Sequence, residues 1–189
     1  EHSRAPASGG AFAAALTFHP EDVEDLQVTS VPARAFPPAM RLFHFSEDPA
    51  IREFVPRTPL HRPEVEPLVW TVDEARAWTY LFPRDCPRIL LWPTPQTTPA
   101  DLDRWFAGDP EGRVACIEWA WLDRMRSTPL YRYELAPARF RPLEDDPWMH
   151  VSREVEVPLA VEPVGELIGA LERQGVELRL MPSLGPLFG

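Results

Sequence analysis

A histidine on the first regular strand of this chain is the side chain with the most evident chemical use. His44 lies between Phe43 and Phe45, and the period of two along a strand puts its imidazole on the opposite face from both rings. A histidine in that position either binds a ligand or hydrogen-bonds a backbone carbonyl at the edge of the core. The sequence leaves both interpretations open.

Aromatic side chains follow at the second apolar segment. Trp70 lies in that segment, and Trp78 and Tyr80 lie on the helix expected after it. Aromatic residues at this spacing either form core or enclose a flat ligand between strand and helix.

Carboxylates cluster in the last third of the chain. Glu144, Asp145 and Asp146 precede a proline, and such segments commonly form solvated turns. Glu154 begins an alternating segment, and the strand period puts Glu156 on the same face. We expect Glu154 to line a cleft and Glu156 to be a solvated strand residue.

Composition excludes several classes of function. The 189 residues carry 19 basic and 29 acidic side chains and a net charge of −10, so nucleic acid and anionic membranes are not expected partners. All basic residues are arginine, which excludes Schiff-base catalysis, pyridoxal-phosphate anchoring and a P-loop lysine. Neither lysine nor asparagine occurs, a bias that we attribute to a GC-rich bacterial genome. No apolar run reaches the roughly 20 residues of a membrane span.

The two cysteines, Cys86 and Cys116, lie far apart without further ligands at metal-binding spacing. We expect no metal site, two buried thiols and a cytoplasmic protein.

Two regions are expected. Residues 1–39 are rich in alanine and proline and form an extension of uncertain order, unless Leu16–Phe18 or Gln27–Val31 supplies an edge strand. Residues 40–189 form a single α+β domain with a mainly antiparallel split sheet and short peripheral helices. Strands are expected at 42–46, 68–72, 88–92, 113–118, 131–135, 155–162 and 176–180, and helices at 50–54, 74–82, 98–108, 119–126 and 164–174.

Taken in order, these segments resemble the ADP-ribosyltransferase-like fold. Leu42–Ser46 is similar to the first-strand L-x-H-x-[ST] motif of that fold, and Leu68–Thr71 with its following helix is similar to the second-strand motif. Residues 131–166 resemble the distal half of the rifamycin-modifying ADP-ribosyltransferases. Residues 40–180 also resemble a family of uncharacterised bacterial proteins. The chain departs from the fold's pattern at Phe45, where many members have glycine, and at Val69 or Trp70, where they have tyrosine.

The resemblance implies an NAD-dependent transferase acting on a small-molecule or protein acceptor. It implies that NAD lies over the first two strands, with His44 at a ribose and with Trp70 and Tyr80 against the nicotinamide. Glu154 or Asp145 would offset the charge of an oxocarbenium-like sugar. The remaining residues implied to bind NAD are Ser46, Thr71 and Arg41, with Arg84 and Arg153 as further candidates for the diphosphate. The alternative is a member of the same fold that binds a nucleotide or a partner without catalysis.

Overall fold

The strands of the described chain form two β-sheets. The computed structural model describes residues 16–17, 40–58, 65–144 and 146–187. The strands there are β1 (Leu16–Thr17), β2 (Leu42–Ser46), β3 (Val69–Asp73), β4 (Arg88–Leu91), β5 (Arg113–Glu118), β6 (Tyr131–Leu135), β7 (Arg141–Pro142), β8 (Met149–Ser152), β9 (Ala160–Pro163) and β10 (Val176–Met181). The α-helices are α1 (Pro99–Phe106), α2 (Leu122–Ser127) and α3 (Leu167–Arg173), and 3₁₀ helices span Glu74–Tyr80, Trp119–Trp121, Pro137–Arg139 and Gly185–Leu187.

The larger sheet has the order β7-β8-β3-β2-β6-β9, and every neighbouring pair in it is antiparallel. The smaller sheet has the order β1-β4-β5-β10, in which β5 and β10 are parallel. The prediction of an α+β fold with a mainly antiparallel sheet is therefore confirmed.

Helices cover both faces of the smaller sheet. Alternation along β5 sends Ala115 and Ile117 to a cluster with α2 and α3, while Val114 and Cys116 pack with α1. Phe45 of the larger sheet contacts the first of these clusters, so it lies at the junction between the sheets.

The helix expected after β3 is confirmed in position, although it is a 3₁₀ helix. The Asp73 side chain caps it by accepting a hydrogen bond of 2.9 Å from the backbone N–H of Arg76. This helix positions Trp78 and Tyr80 beside β2.

The helix expected at 50–54 is wrong. The Asp48 carboxylate accepts a hydrogen bond of 2.8 Å from the N–H of Ala50, which closes a turn. Phe54 then exchanges two backbone hydrogen bonds, of 2.8 and 3.0 Å, with Glu156. Pairing with a distant segment thus replaces the local hydrogen bonds of a helix.

Over residues 155–162, the expected alternation of buried valines and leucines with exposed glutamates is also wrong, because the exposed and buried sides are reversed. Val157 and Leu159 are 65% and 66% exposed, whereas Glu156 is only 6% exposed. A regular strand is present only at β9. Before it, Glu156 pairs with Phe54, and the N–H of Leu159 donates to the carbonyl oxygen of Glu134 in β6 at 2.8 Å.

The extension contributes one short strand to the described chain. Leu16 and Thr17 pair antiparallel with Leu90 and Ile89, in agreement with the edge-strand alternative at Leu16–Phe18. The other candidate, Gln27–Val31, lies outside the described residues. Among the described residues, no helix has the length and apolar character required to cross a membrane.

Candidate functional site

The two central strands of the larger sheet are paired over only part of their length. Leu42 and Phe43 of β2 lie opposite Asp73 and Val72 of β3, and the ladder between these two described strands ends there. Each strand continues to pair with its outer neighbour. The sheet is therefore split between β2 and β3 from His44 onward.

The His44 side chain spans this split. Its Nδ1 lies 2.9 Å from the backbone carbonyl oxygen of Trp70, and its ring lies 4.6 Å from that of Phe54. Because a carbonyl oxygen only accepts, Nδ1 carries the hydrogen in the neutral ring and Nε2 is left as an acceptor. Burial lowers the pKa of His44, and the charge of Arg84 lowers it further. His44 is thus a neutral imidazole in a fixed tautomer.

A slot opens at the split. Its volume is about 270 Å³ when the space open to solvent is included. Its lining joins the central strands to the 3₁₀ helix and to β8 and consists of Phe43, His44, Phe45, Trp70, Thr71, Val72, Tyr80 and Met149. Four predicted binding residues, His44, Trp70, Thr71 and Tyr80, are therefore brought together.

Aromatic rings form the walls of the slot. The rings of Phe45 and Tyr80 lie nearly parallel, 7° apart in plane and 6.0 Å apart between centroids. The Tyr80 hydroxyl donates to Met149 Sδ at 3.2 Å, and burial raises the pKa of this phenol, which keeps it neutral. The indole Nε1 of Trp70 is buried and has no hydrogen-bond partner in the structure of the described chain. A buried donor without an acceptor is costly, and a ligand oxygen that reaches this atom would satisfy it.

Two other predicted binding residues do not line the slot. Ser46 Oγ accepts a hydrogen bond of 3.1 Å from the N–H of Asp48, so it fixes the turn after β2. Arg41 binds Glu134 through two hydrogen bonds of 3.0 and 2.7 Å and contacts Glu74 at 3.2 Å. Glu134 raises the pKa of the Arg41 guanidinium. The Arg41 guanidinium therefore already pairs with the carboxylates of Glu134 and Glu74.

Neither predicted acid is found in the slot lining: Glu154 lies outside it, and Asp145 is not among the described residues. Glu154 forms an exposed ion pair with Arg139, with Oε2 and Nη1 3.0 Å apart, and is absent from the slot lining. Asp145 lies outside the described residues. The identity of the catalytic acid therefore stays a prediction.

Glu156, expected to be solvated, is instead buried. Its Oε1 accepts a hydrogen bond of 2.7 Å from Ser152 Oγ, and the same hydroxyl accepts a hydrogen bond from the N–H of Glu154. The expectation failed because the backbone exchange with Phe54 turns the segment inward at residue 156. This carboxylate belongs to a buried polar network at the end of β8.

The two remaining arginine candidates differ in availability. Arg153 forms two hydrogen bonds of 2.7 and 2.6 Å with Glu66. Arg84 lies close enough to lower the pKa of His44, and no ion pair involves its guanidinium among the described residues. Arg84 does not line the slot, but it is the predicted diphosphate ligand whose guanidinium has no carboxylate partner among the described residues.

One arrangement near the slot was not predicted. The guanidinium of Arg76 lies between the indole rings of Trp92 and Trp148, 4.5 Å from each centroid. Burial lowers the pKa of Arg76 and raises that of the neighbouring Asp73. The three stacked groups come from separate segments, so no local spacing could reveal them.

Within the described chain, no group of three or more metal-binding side chains lies together. Cys86 and Cys116 are both buried free thiols. Burial raises the pKa of Cys86 to about 12, so it is not poised as a nucleophile.

Comparison with family models matches residues 43–189 to one described as "Family of unknown function (DUF6886)". No curated protein and no solved structure matches the chain.

Proposed function

The chain belongs to DUF6886, a family of unknown function, and we propose that it binds NAD and transfers ADP-ribose to a small-molecule or protein acceptor. The fold in this proposal is the ADP-ribosyltransferase-like split sheet. The observation that carries it is the slot at the split between β2 and β3, where His44, Trp70 and Tyr80 meet.

The slot suits the nicotinamide end of NAD. Its walls are aromatic, which favours a flat ring. The carboxamide of nicotinamide offers an oxygen acceptor, and the unpartnered Nε1 of Trp70 supplies a donor beside the aromatic walls. The residues present therefore fit this part of NAD.

Two polar side chains, His44 in the slot and Arg84 outside its lining, are proposed for the rest of the dinucleotide. His44 is held neutral, and its Nε2 can accept a hydrogen bond from a ribose hydroxyl. Arg84 offers a planar guanidinium to the diphosphate without giving up a carboxylate partner among the described residues.

In the transfer step, the bond between the nicotinamide nitrogen and the ribose carbon breaks. Its electron pair leaves with nicotinamide, and the acceptor nucleophile bonds to the ribose carbon and gives up its proton to solvent. A carboxylate would stabilise the positive charge that develops on the sugar. Glu154 and Asp145 remain the proposed acids, and Glu154 must release Arg139 to act.

A second candidate is binding of NAD or a related nucleotide without transfer. It is favoured by the position of Glu154, whose side chain is 65% exposed and is held by Arg139 away from the slot lining. Both candidates use the same slot and differ in turnover.

We propose a cytoplasmic location under both candidates, because the two free thiols stay reduced there.

The test combines calorimetric titration of NAD with chromatographic detection of released nicotinamide. Wild-type protein and W70L are compared with W119L, since Trp119 is a 56% exposed tryptophan that does not line the slot. We expect W70L to lose NAD binding about tenfold or more, and W119L to bind like the wild type.

The detection of released nicotinamide distinguishes transfer of ADP-ribose from binding without catalysis. Release of nicotinamide by the wild type supports transfer or hydrolysis, and appearance of ADP-ribose on an added acceptor distinguishes them. Tight binding without release supports the non-catalytic candidate. Absence of NAD binding contradicts both.

A further inference from the structure

A second cleft shares Phe45 with the slot. It opens between the 3₁₀ helix Glu74–Tyr80, α3 and the adjoining surface of β2 and β6. Its volume is about 560 Å³ when the space open to solvent is included. We name it the arginine cleft after Arg132 and Arg173, which both line it.

The arginine cleft carries two guanidinium groups in an acidic protein, and one of them is paired with Glu162. It is lined by Arg132 and Arg173, and no carboxylate is present in its described lining. Arg132 is held in place by Glu162 at 2.7 Å and lies over the ring of Phe43 at 4.8 Å. No ion pair involves Arg173 among the described residues. One guanidinium is therefore fixed and the other is available for an anion.

A buried donor lines the same cleft. Trp78 is only 1% exposed, and its indole Nε1 has no hydrogen-bond partner in the described structure. Trp78 packs edge-on against Trp92, with ring centroids 6.0 Å apart, so its position is fixed by the core. An oxygen acceptor that reaches this buried atom from the cleft would satisfy the donor.

Apolar groups complete the lining. Phe45, Ala77 and Val164 face the cleft beside the donors. A ligand with an oxyanion at one end and an apolar body at the other would use both kinds of surface.

We propose that the arginine cleft binds a small organic oxyanion, a phosphomonoester or a carboxylate with an apolar body. The oxyanion contacts Arg132 and Arg173, and one of its oxygens, or a ring oxygen of the body, accepts from Trp78 Nε1. This site is distinct from the proposed NAD slot and does not depend on it.

Calorimetric titration with phenyl phosphate and with benzoate tests the proposal, and the two probes distinguish the two sources of the oxyanion. Binding of either probe by the wild type is expected, with R173Q and R132Q each weakening it about tenfold, because each removes a charge-assisted hydrogen bond. W78F removes the donor and keeps most of the packing, and it should weaken binding about threefold or more.

R139Q is the matched control, since Arg139 is an exposed arginine that does not line the cleft. Thermal unfolding verifies that each variant is folded. Failure of both probes to bind the folded wild type overturns the proposal. Binding that R173Q and R132Q both leave unchanged overturns it as well.

Discussion

The Nδ1 atom of His44 lies 2.9 Å from the carbonyl oxygen of Trp70, across the point where β2 and β3 stop pairing. A side chain here takes the place of a backbone ladder. The bond keeps the strands connected while leaving a slot between them. The candidate site therefore depends on one imidazole in its neutral form.

The first prediction concerns pH. Burial lowers the pKa of His44 from 6.5, so the unfolded chain binds a proton at higher pH than the folded chain. Stability from this group is complete above pH 6.5 and falls as the pH drops toward the folded-state pKa. H44Q can still donate to the Trp70 carbonyl but does not titrate. Urea unfolding between about pH 7 and about pH 5 should show a smaller loss of stability in H44Q than in the wild type.

His150 also has a pKa lowered by burial, so some pH dependence should remain in H44Q. H150Q is the matched comparison. Identical pH profiles for H44Q and the wild type would mean that His44 is not held neutral by the fold.

The second prediction separates the two neighbouring glutamates. S152A and E156A each break the buried 2.7 Å hydrogen bond. E156A also leaves the Ser152 hydroxyl without its acceptor, so we expect a loss of about 1–3 kcal/mol in the free energy of unfolding. E154Q removes only an exposed ion pair and should cost less than about 1 kcal/mol. A larger loss in E154Q than in E156A, measured by urea unfolding, would contradict the burial of Glu156.

The third prediction concerns the extension. Deleting residues 1–39 removes the pairing of Leu16–Thr17 with β4, which is a two-residue edge contact. The remaining chain keeps the central strands and the described cores, so we expect a cooperative thermal transition with Tm lower by a few degrees. A truncated chain that unfolds without cooperativity would show that the extension supplies an essential part of the core.

The fourth prediction concerns the stacked arginine. R76K keeps the charge between Trp92 and Trp148 but loses the planar contacts with both rings. We expect a loss of about 0.5–2 kcal/mol in the free energy of unfolding. R126K, at an exposed arginine of α2, serves as the control and should change little. Equal stability of R76K and the wild type would show that the stack contributes nothing to the fold.

Local patterns predicted the elements that depend on local chemistry. The alternation of Leu42–Ser46 and the cap at Asp73 indicate a strand and a helix start, and both are present. The same patterns failed where a distant partner decides the conformation. Phe54 and Glu156 are far apart in sequence, and their mutual hydrogen bonds remove one expected helix and reverse one expected alternation.

The candidate site was likewise predictable where its residues lie on predicted strands, and not where they depend on distant partners. His44 and Trp70 lie on segments that the sequence predicts as strands, and the His44 side chain does hydrogen-bond the Trp70 carbonyl oxygen. The ion pairs that hold Arg41 and Glu154 depend on contacts with Glu134 and Arg139, which no spacing in the sequence specifies. Two further side chains, Arg173 and Trp78, line one cleft only because α3 packs beside the 3₁₀ helix.

The measurement that tests the central claim most directly is the NMR resonance of the Trp70 indole N–H during titration with NAD. The chain has seven tryptophans, and W70F identifies the resonance by its absence. If nicotinamide enters the slot, this resonance shifts saturably as the N–H gains an acceptor, free nicotinamide shifts it in the same direction, and the resonance of exposed Trp119 stays in place. A Trp70 resonance that does not move at NAD concentrations up to about 10 mM, far above those of ordinary cofactor sites, would contradict the account.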